Sequence, residues 1–182
     1  ITTLPNNAPP VVIAQHIPPG FSASFANRMD AISAVNVQEA SHGQKIKDGN
    51  VYIAPGGKHL KVVSKGGNLF CILEDSARVN RHKPAVDVLF NSLVDIANNV
   101  QAILLTGMGQ DGAQGMLELR NHGALTIIQS KNTSVIWGMP GAASLMNAEC
   151  LTVDLQDISK TILHYAGLDR KEIKEAMYEF AH

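Results

Sequence analysis

The sequence predicts an α/β fold: a modified doubly wound domain whose mostly parallel sheet is flanked by helices. Three observations carry this expectation. Short β-rich runs alternate with amphipathic segments, the pattern of parallel strands joined by crossover helices. One run, 100–105, is continuously apolar, as a central strand covered on both faces should be. Glycine- and proline-rich loops directly follow several of the strands.

The elements follow in order. Val11 to Gln15, after Pro9 and Pro10, is the first strand, and helical periodicity covers Phe21 to Ile32. Strands are expected at Val35 to Glu39 and Val51 to Ala54. From Leu60 to Leu73 two apolar runs flank Ser64-Lys65-Gly66-Gly67-Asn68, which predicts an antiparallel hairpin inserted near 60–73. Pro84 suits a first helical turn, and Val86, Leu89, Phe90, Leu93, Val94 and Ala97 follow at helix spacing. Beyond the strand at Val100 to Leu105, a helix is expected over Asp111 to Asn121 with Gly123 as its C-cap. A strand at Ala124 to Gln129, a short helix at Pro140 to Met146 and a last strand at Leu151 to Val153 follow. The tail, 169–182, is expected to be a helix capped by Asp169, with Ile173, Met177 and Phe180 on one face.

Composition narrows the function classes. A chain of 182 residues can bury about 70% of its unfolded surface as one domain, without disulfides or metal. A net charge of −1 disfavours a nucleic-acid partner. Cys71 and Cys150 stand alone in apolar stretches, as buried reduced thiols do, and no apolar run reaches the roughly 18 to 20 residues of a membrane span. A cytoplasmic location is the expectation. His59, His122 and His164 have no metal-ligand spacing, so neither a metal nor a cofactor is expected.

In a parallel sheet, ligands gather beyond the carboxyl ends of the strands, so the residues there matter most. His16 sits just past the first strand, ahead of Pro18 and Pro19, which stiffen its exit; a structural strand-end histidine is the rival reading. Asp111 lies in Thr106-Gly107-Met108-Gly109-Gln110-Asp111-Gly112, after the 100–105 strand, where helix N-capping is its bland role. Gly107-x-Gly109-x-x-Gly112 also matches a dinucleotide fingerprint. That reading is disfavoured: the strand is a late one, Asp111 would face a pyrophosphate, and no acidic residue follows the strand ending at Gln129. A histidine and an aspartate on neighbouring strand ends can form a base and its orienter. They still need a nucleophile, and Ser22, Ser24 and Ser41 are poor candidates, two on a helix face and one in a loop without an orienter.

Five stretches, VVIAQHIPPGFSASFANRM, GNVYIAPGGKHL, VNRHKPAVDVLF, AILLTGMGQDGAQGML and VIWGMPGAA, together resemble the CheB family of chemotaxis protein-glutamate methylesterases. The resemblance implies a cytoplasmic serine hydrolase that removes methyl groups from receptor glutamate esters and deamidates certain glutamines. It assigns the triad histidine to His16, the triad aspartate to Asp111 and an oxyanion-hole amide to Met108. Arg81 and His82 become substrate-contact candidates, and Met139 with Trp137 either lines the cleft or packs in the core. The implied partners are the cytoplasmic helices of methyl-accepting chemoreceptors and, in the full-length protein, a receiver domain. The family's nucleophile lies in a Ser-Thr-Gly-Gly-like turn upstream of the segment matching Ile1. The expectation is therefore a single catalytic domain over 1–182, incomplete at its N-terminus and inactive without that segment. The alternative is a relative that has lost catalysis and keeps receptor binding.

Overall fold

The structure is a computed structural model that describes residues 1–168 and 171–173. Its elements run β1 (Val11–Ile13), α1 (Ser22–Asp30), β2 (Asn36–Glu39), β3 (Gln44–Lys45), β4 (Asn50–Ile53), β5 (His59–Lys65), β6 (Asn68–Glu74), α2 (Val86–Asn91), β7 (Gln101–Leu104), α3 (Ala113–Asn121), β8 (Leu125–Gln129), α4 (Met139–Leu145), β9 (Leu151–Val153) and α5 (Ile158–Tyr165). The expected α/β plan with parallel strands, flanking helices and an antiparallel insertion is present. The parallel strands, however, fall into two three-stranded sheets, β1-β4-β2 and β7-β8-β9, rather than one. Each sheet presents an edge strand, β1 or β7, that is not hydrogen-bonded to the other.

Period-2 alternation divides each sheet between two apolar layers. In the first sheet, Val37, Val51 and Ile53 pack with Ala26 of α1, while Tyr52 and Ala54 face the main core. In the second, Leu104 and Ile128 pack toward α3 and α4, and Ile103 and Ile127 face the opposite side, where Ile158 and Tyr165 of α5 cover them. Both faces are sealed, as the continuous apolar run of β7 requires.

The hairpin turns at Gly66 (φ 56°) and Gly67 (φ 73°), between the paired residues Lys65 and Asn68. Two consecutive positive φ angles make the turn whose twist matches a β-hairpin, and glycine adopts them at no steric cost. A third strand, the two-residue β3, pairs antiparallel with β6. Leu60, Val62 and Cys71 turn inward against α2, and the Ser92 hydroxyl ties the hairpin down by accepting from the Val62 amide.

One expected helix is shorter, one helix goes beyond the expectations, and the tail helix is met only as far as it is described. The helix expected from Pro84 through Ala97 is shorter: α2 starts at Val86, Pro84 precedes it, and the chain continues as a 3₁₀ segment, Val94–Asn99, kinked at Ile96. The apolar stripe continued beyond the point at which the backbone stopped being α-helical. α5 was not expected, although Ile158, Ile162 and Tyr165 have helix spacing. Of the tail helix expected over 169–182, the described residues 171–173 are helical and Ile173 packs beside α5, while the Asp169 cap, Met177 and Phe180 lie outside the described residues.

Candidate active site

The carboxyl ends of β1 and β7 bring their loops together. His16, three residues past β1, donates from Nε2 to Asp111 Oδ2 at 2.7 Å. Its other ring nitrogen, Nδ1, has no hydrogen-bond partner among the described residues. The Asp111 side chain is 1% exposed and that of His16 21%, so the carboxylate is sealed while the imidazole reaches the surface.

The bland alternative for Asp111, capping its own helix, does not hold, and its side chain turns to His16 instead. Gly112 (φ 91°) holds the N-cap position of α3, freeing the carboxylate to turn away. A Cβ on Gly112 would come within 2.6 Å of Val86 Cγ1, so the tight approach also demands glycine. The Asp111 carboxylate accepts instead from the amides of Val86 (2.7 Å) and Asp87 (3.2 Å), where α2 begins, and from Asn80 Nδ2 (2.9 Å). Burial alone would raise its pKa. The hydrogen bonds from His16, Asn80, Val86 and Asp87 outweigh burial and hold the carboxyl below its ordinary range. Asp111 is thus an ionised carboxylate able to fix the tautomer of His16 and to stabilise its protonated form.

Asn80 joins this network. The same Nδ2 reaches Asp87 Oδ2 at 2.6 Å, so one amide bridges two buried carboxylates. Asp87 was missed altogether, because its spacing in VNRHKPAVDVLF shows only a helix start; its Oδ1 accepts from the Gly115 amide at 2.7 Å and locks α2 to α3. His82 lies against His16 with ring centroids 3.6 Å apart and planes 4° from parallel. Arg81 is exposed at the tip of the same turn.

Met108 occupies the loop after β7, its side chain 73% exposed. The loop is pinned immediately before it: Gly107 donates to Ile136 O and accepts from the Met139 amide, and Thr106 exchanges hydrogen bonds with Ile136. The Met108 amide itself donates to nothing among the described residues. Met139 is buried in the core, and a Cβ on Gly107 would meet its sulfur at 2.3 Å, so it shapes the loop from beneath. Trp137 borders an open hollow with Gly109, Gln110, Gly138, Gly141, Ala142 and Leu145.

No serine among the described residues bonds the His16 ring. Ser22 is buried and engaged with Glu39 and the Gly56 amide, and Ser24 donates to Phe21 O. His59 is likewise structural, held between Ala77 O and the Ala85 amide. No group of three or more His, Cys, Asp or Glu side chains among the described residues is placed to hold a metal ion. No helix among them is long and apolar enough to cross a membrane.

Known proteins resemble this chain over most of its length. A protein-glutamate methylesterase/protein-glutamine glutaminase of Saccharophagus degradans is 46% identical over 167 residues, covering 91% of this chain and 48% of the relative. One from Xanthomonas campestris is 45% identical over 161 residues, 88% of this chain and 45% of that protein. The chain therefore spans about half the length of these relatives. The crystal structure of the Thermotoga maritima CheB methylesterase catalytic domain superposes with a TM-score of 0.88 at 36% identity, covering 91% of this chain and 89% of that one. The CheB methylesterase family model matches residues 1–162, and with both sequence and fold in agreement the chain belongs to the CheB methylesterase family.

Proposed function

We propose that this chain is the catalytic portion of a cytoplasmic protein-glutamate methylesterase that also deamidates glutamine, acting on the helical signalling domains of methyl-accepting chemoreceptors. The observation that carries the reading is the 2.7 Å bond between His16 and a buried, ionised Asp111 at the converging ends of two parallel sheets. With Nε2 held by Asp111, Nδ1 is the nitrogen left to act as base. The nucleophile is a serine in a turn upstream of Ile1, carried by a strand that adds to the open edge of β1; the half-buried apolar residues Val11, Val12 and Ile13 suit such a neighbour.

In this scheme His16 takes the seryl proton as the oxygen attacks the ester carbonyl, and the Met108 amide stabilises the resulting oxyanion. The imidazolium returns the proton to the leaving methanol. Water, activated by the same imidazole, then cleaves the acyl-serine to free the glutamate carboxylate and restore the hydroxyl. For glutamine the leaving group is ammonia.

A protein substrate fits the surroundings. Met108 and Leu145 (88% exposed), the latter lining the hollow beside Gly109 and Gln110, set large apolar side chains near the Asp111 loop, the kind of surface that meets another protein. Arg81, exposed in the turn that carries His82 against His16, is the candidate substrate contact, with Met139 buried beneath the Met108 loop. The greater length of the relatives leaves room for a regulatory receiver domain in the full-length protein.

The test is methanol release from methylated receptor by the full-length protein and its His16→Ala variant. Loss of a triad member should cost on the order of 10⁴-fold or more in turnover. Undiminished release removes His16 from the chemistry.

A further inference from the structure

The turn Val79–Lys83 is built with unusual care for a surface loop. Val79 and His82 exchange both backbone hydrogen bonds, at 3.1 and 2.8 Å, which closes the turn tightly. Asn80 and Arg81 between them hold φ angles of 51° and 69°, the left-handed region that side-chain-bearing residues seldom occupy. Such backbone persists only where its surroundings over-determine it. Here they do: Asn80 anchors inward on Asp87 and Asp111, Lys83 Nζ bonds Asp75 Oδ1 (2.6 Å) and Ser76 O (2.9 Å), and Lys83 O accepts from Gly57.

What this strained turn delivers is the His82 ring, face to face with His16. From this geometry we infer that His82 is a positioning residue. Its stacked ring fixes the plane of the His16 imidazole, which the single bond to Asp111 leaves free to tilt, and so aims Nδ1 at the nucleophile. One turn thereby sets both partners, Asp111 through Asn80 and His16 through His82.

The stack must survive the moment at which His16 carries a proton, and a second cation 3.6 Å away would repel it. Burial lowers the pKa of His82, and the neighbouring His16 and Arg78 push the same way against Asp111, so His82 is kept a neutral ring. An uncharged aromatic ring should therefore substitute for it.

This inference rests on the hydrolase reading for its kinetic arm only. In the full-length protein, His82→Ala should lower kcat about 100-fold, the scale of a misplaced catalytic group, with KM unchanged. His82→Phe should recover most of that loss. In the ¹⁵N-labelled full-length protein, His82→Ala should speed exchange of the His16 Nε2 proton with water, while His82→Phe leaves it as in the parent. A rise in KM with kcat unchanged, or a Phe variant as impaired as the Ala variant, would show a polar contact to substrate and overturn the inference. So would an unaltered His16 proton signal in His82→Ala. Should the parent protein release no methanol, the hydrolase reading fails, and the exchange measurement still decides whether His82 holds His16.

Discussion

Asp111 caps a helix that is not its own, its Oδ2 lying 2.7 Å from the backbone nitrogen of Val86 at the start of α2. The carboxylate proposed to orient the base also satisfies two otherwise orphaned amides, so on that proposal activity and stability share one side chain. Asp111→Asn should lower turnover by about 10⁴-fold through loss of the correct tautomer. Asp111→Ala should in addition cost about 1–3 kcal/mol by leaving the Val86 and Asp87 amides buried and unpaired, read as a urea midpoint.

The same carboxylate predicts an acid limb. Its folded pKa lies below the unfolded value of about 3.9, so its stabilisation is complete above that pH and is lost as pH falls through the folded value. Unfolding midpoints of the parent should therefore fall more steeply than those of Asp111→Asn as the solution is acidified below about pH 4.

Met108 separates side chain from backbone. Its thioether points to solvent, so Met108→Ala should leave kcat within a few-fold. Met108→Pro removes the amide and should cost about 10² to 10³ in kcat, the usual loss of one oxyanion donor. Equal kinetics for the two variants would rule the amide out.

Gly115 is where α2 and α3 touch. A Cβ there would meet Phe90 Cβ at 2.8 Å and Asp87 Oδ1 at 3.0 Å. Gly115→Ala should destabilise the protein by about 1–3 kcal/mol despite alanine's better helix propensity. Circular dichroism during urea unfolding measures the balance.

Cys71 is fully buried beneath the hairpin, and burial pushes its thiol up to about 11. At pH 8 it should resist alkylation in the native protein and react only after denaturation, as mass mapping of the labelled peptide would show.

Some of this was legible in the sequence and some was not, for identifiable reasons. Strands with continuous or alternating apolar runs, such as β7 and the β5–β6 hairpin, announce themselves because burial acts on every residue. The loops holding His16 and Asp111 were visible because strand ends are where such residues gather. α2 was over-extended because an apolar stripe records burial and not backbone geometry; Leu93 and Val94 pack against the core from the irregular chain that follows the helix. The helix-capping alternative for Asp111 pointed to the wrong helix for another reason. A cap is visible in sequence only when donor and acceptor are neighbours, and here 25 residues separate Asp111 from Val86. Asn80 and Asp87 escaped for the same cause, since each works through partners on another element.

The left-handed backbone of Arg81 makes it unusually suited to dissection. Glycine is the residue most at ease at that φ, so Arg81→Gly deletes a guanidinium while leaving the fold within about 1 kcal/mol of its parent. Few surface positions allow a long cation to be erased without disturbing the chain that carries it. Any weaker binding of a protein substrate by that variant would then trace to the lost charge rather than to a disturbed fold.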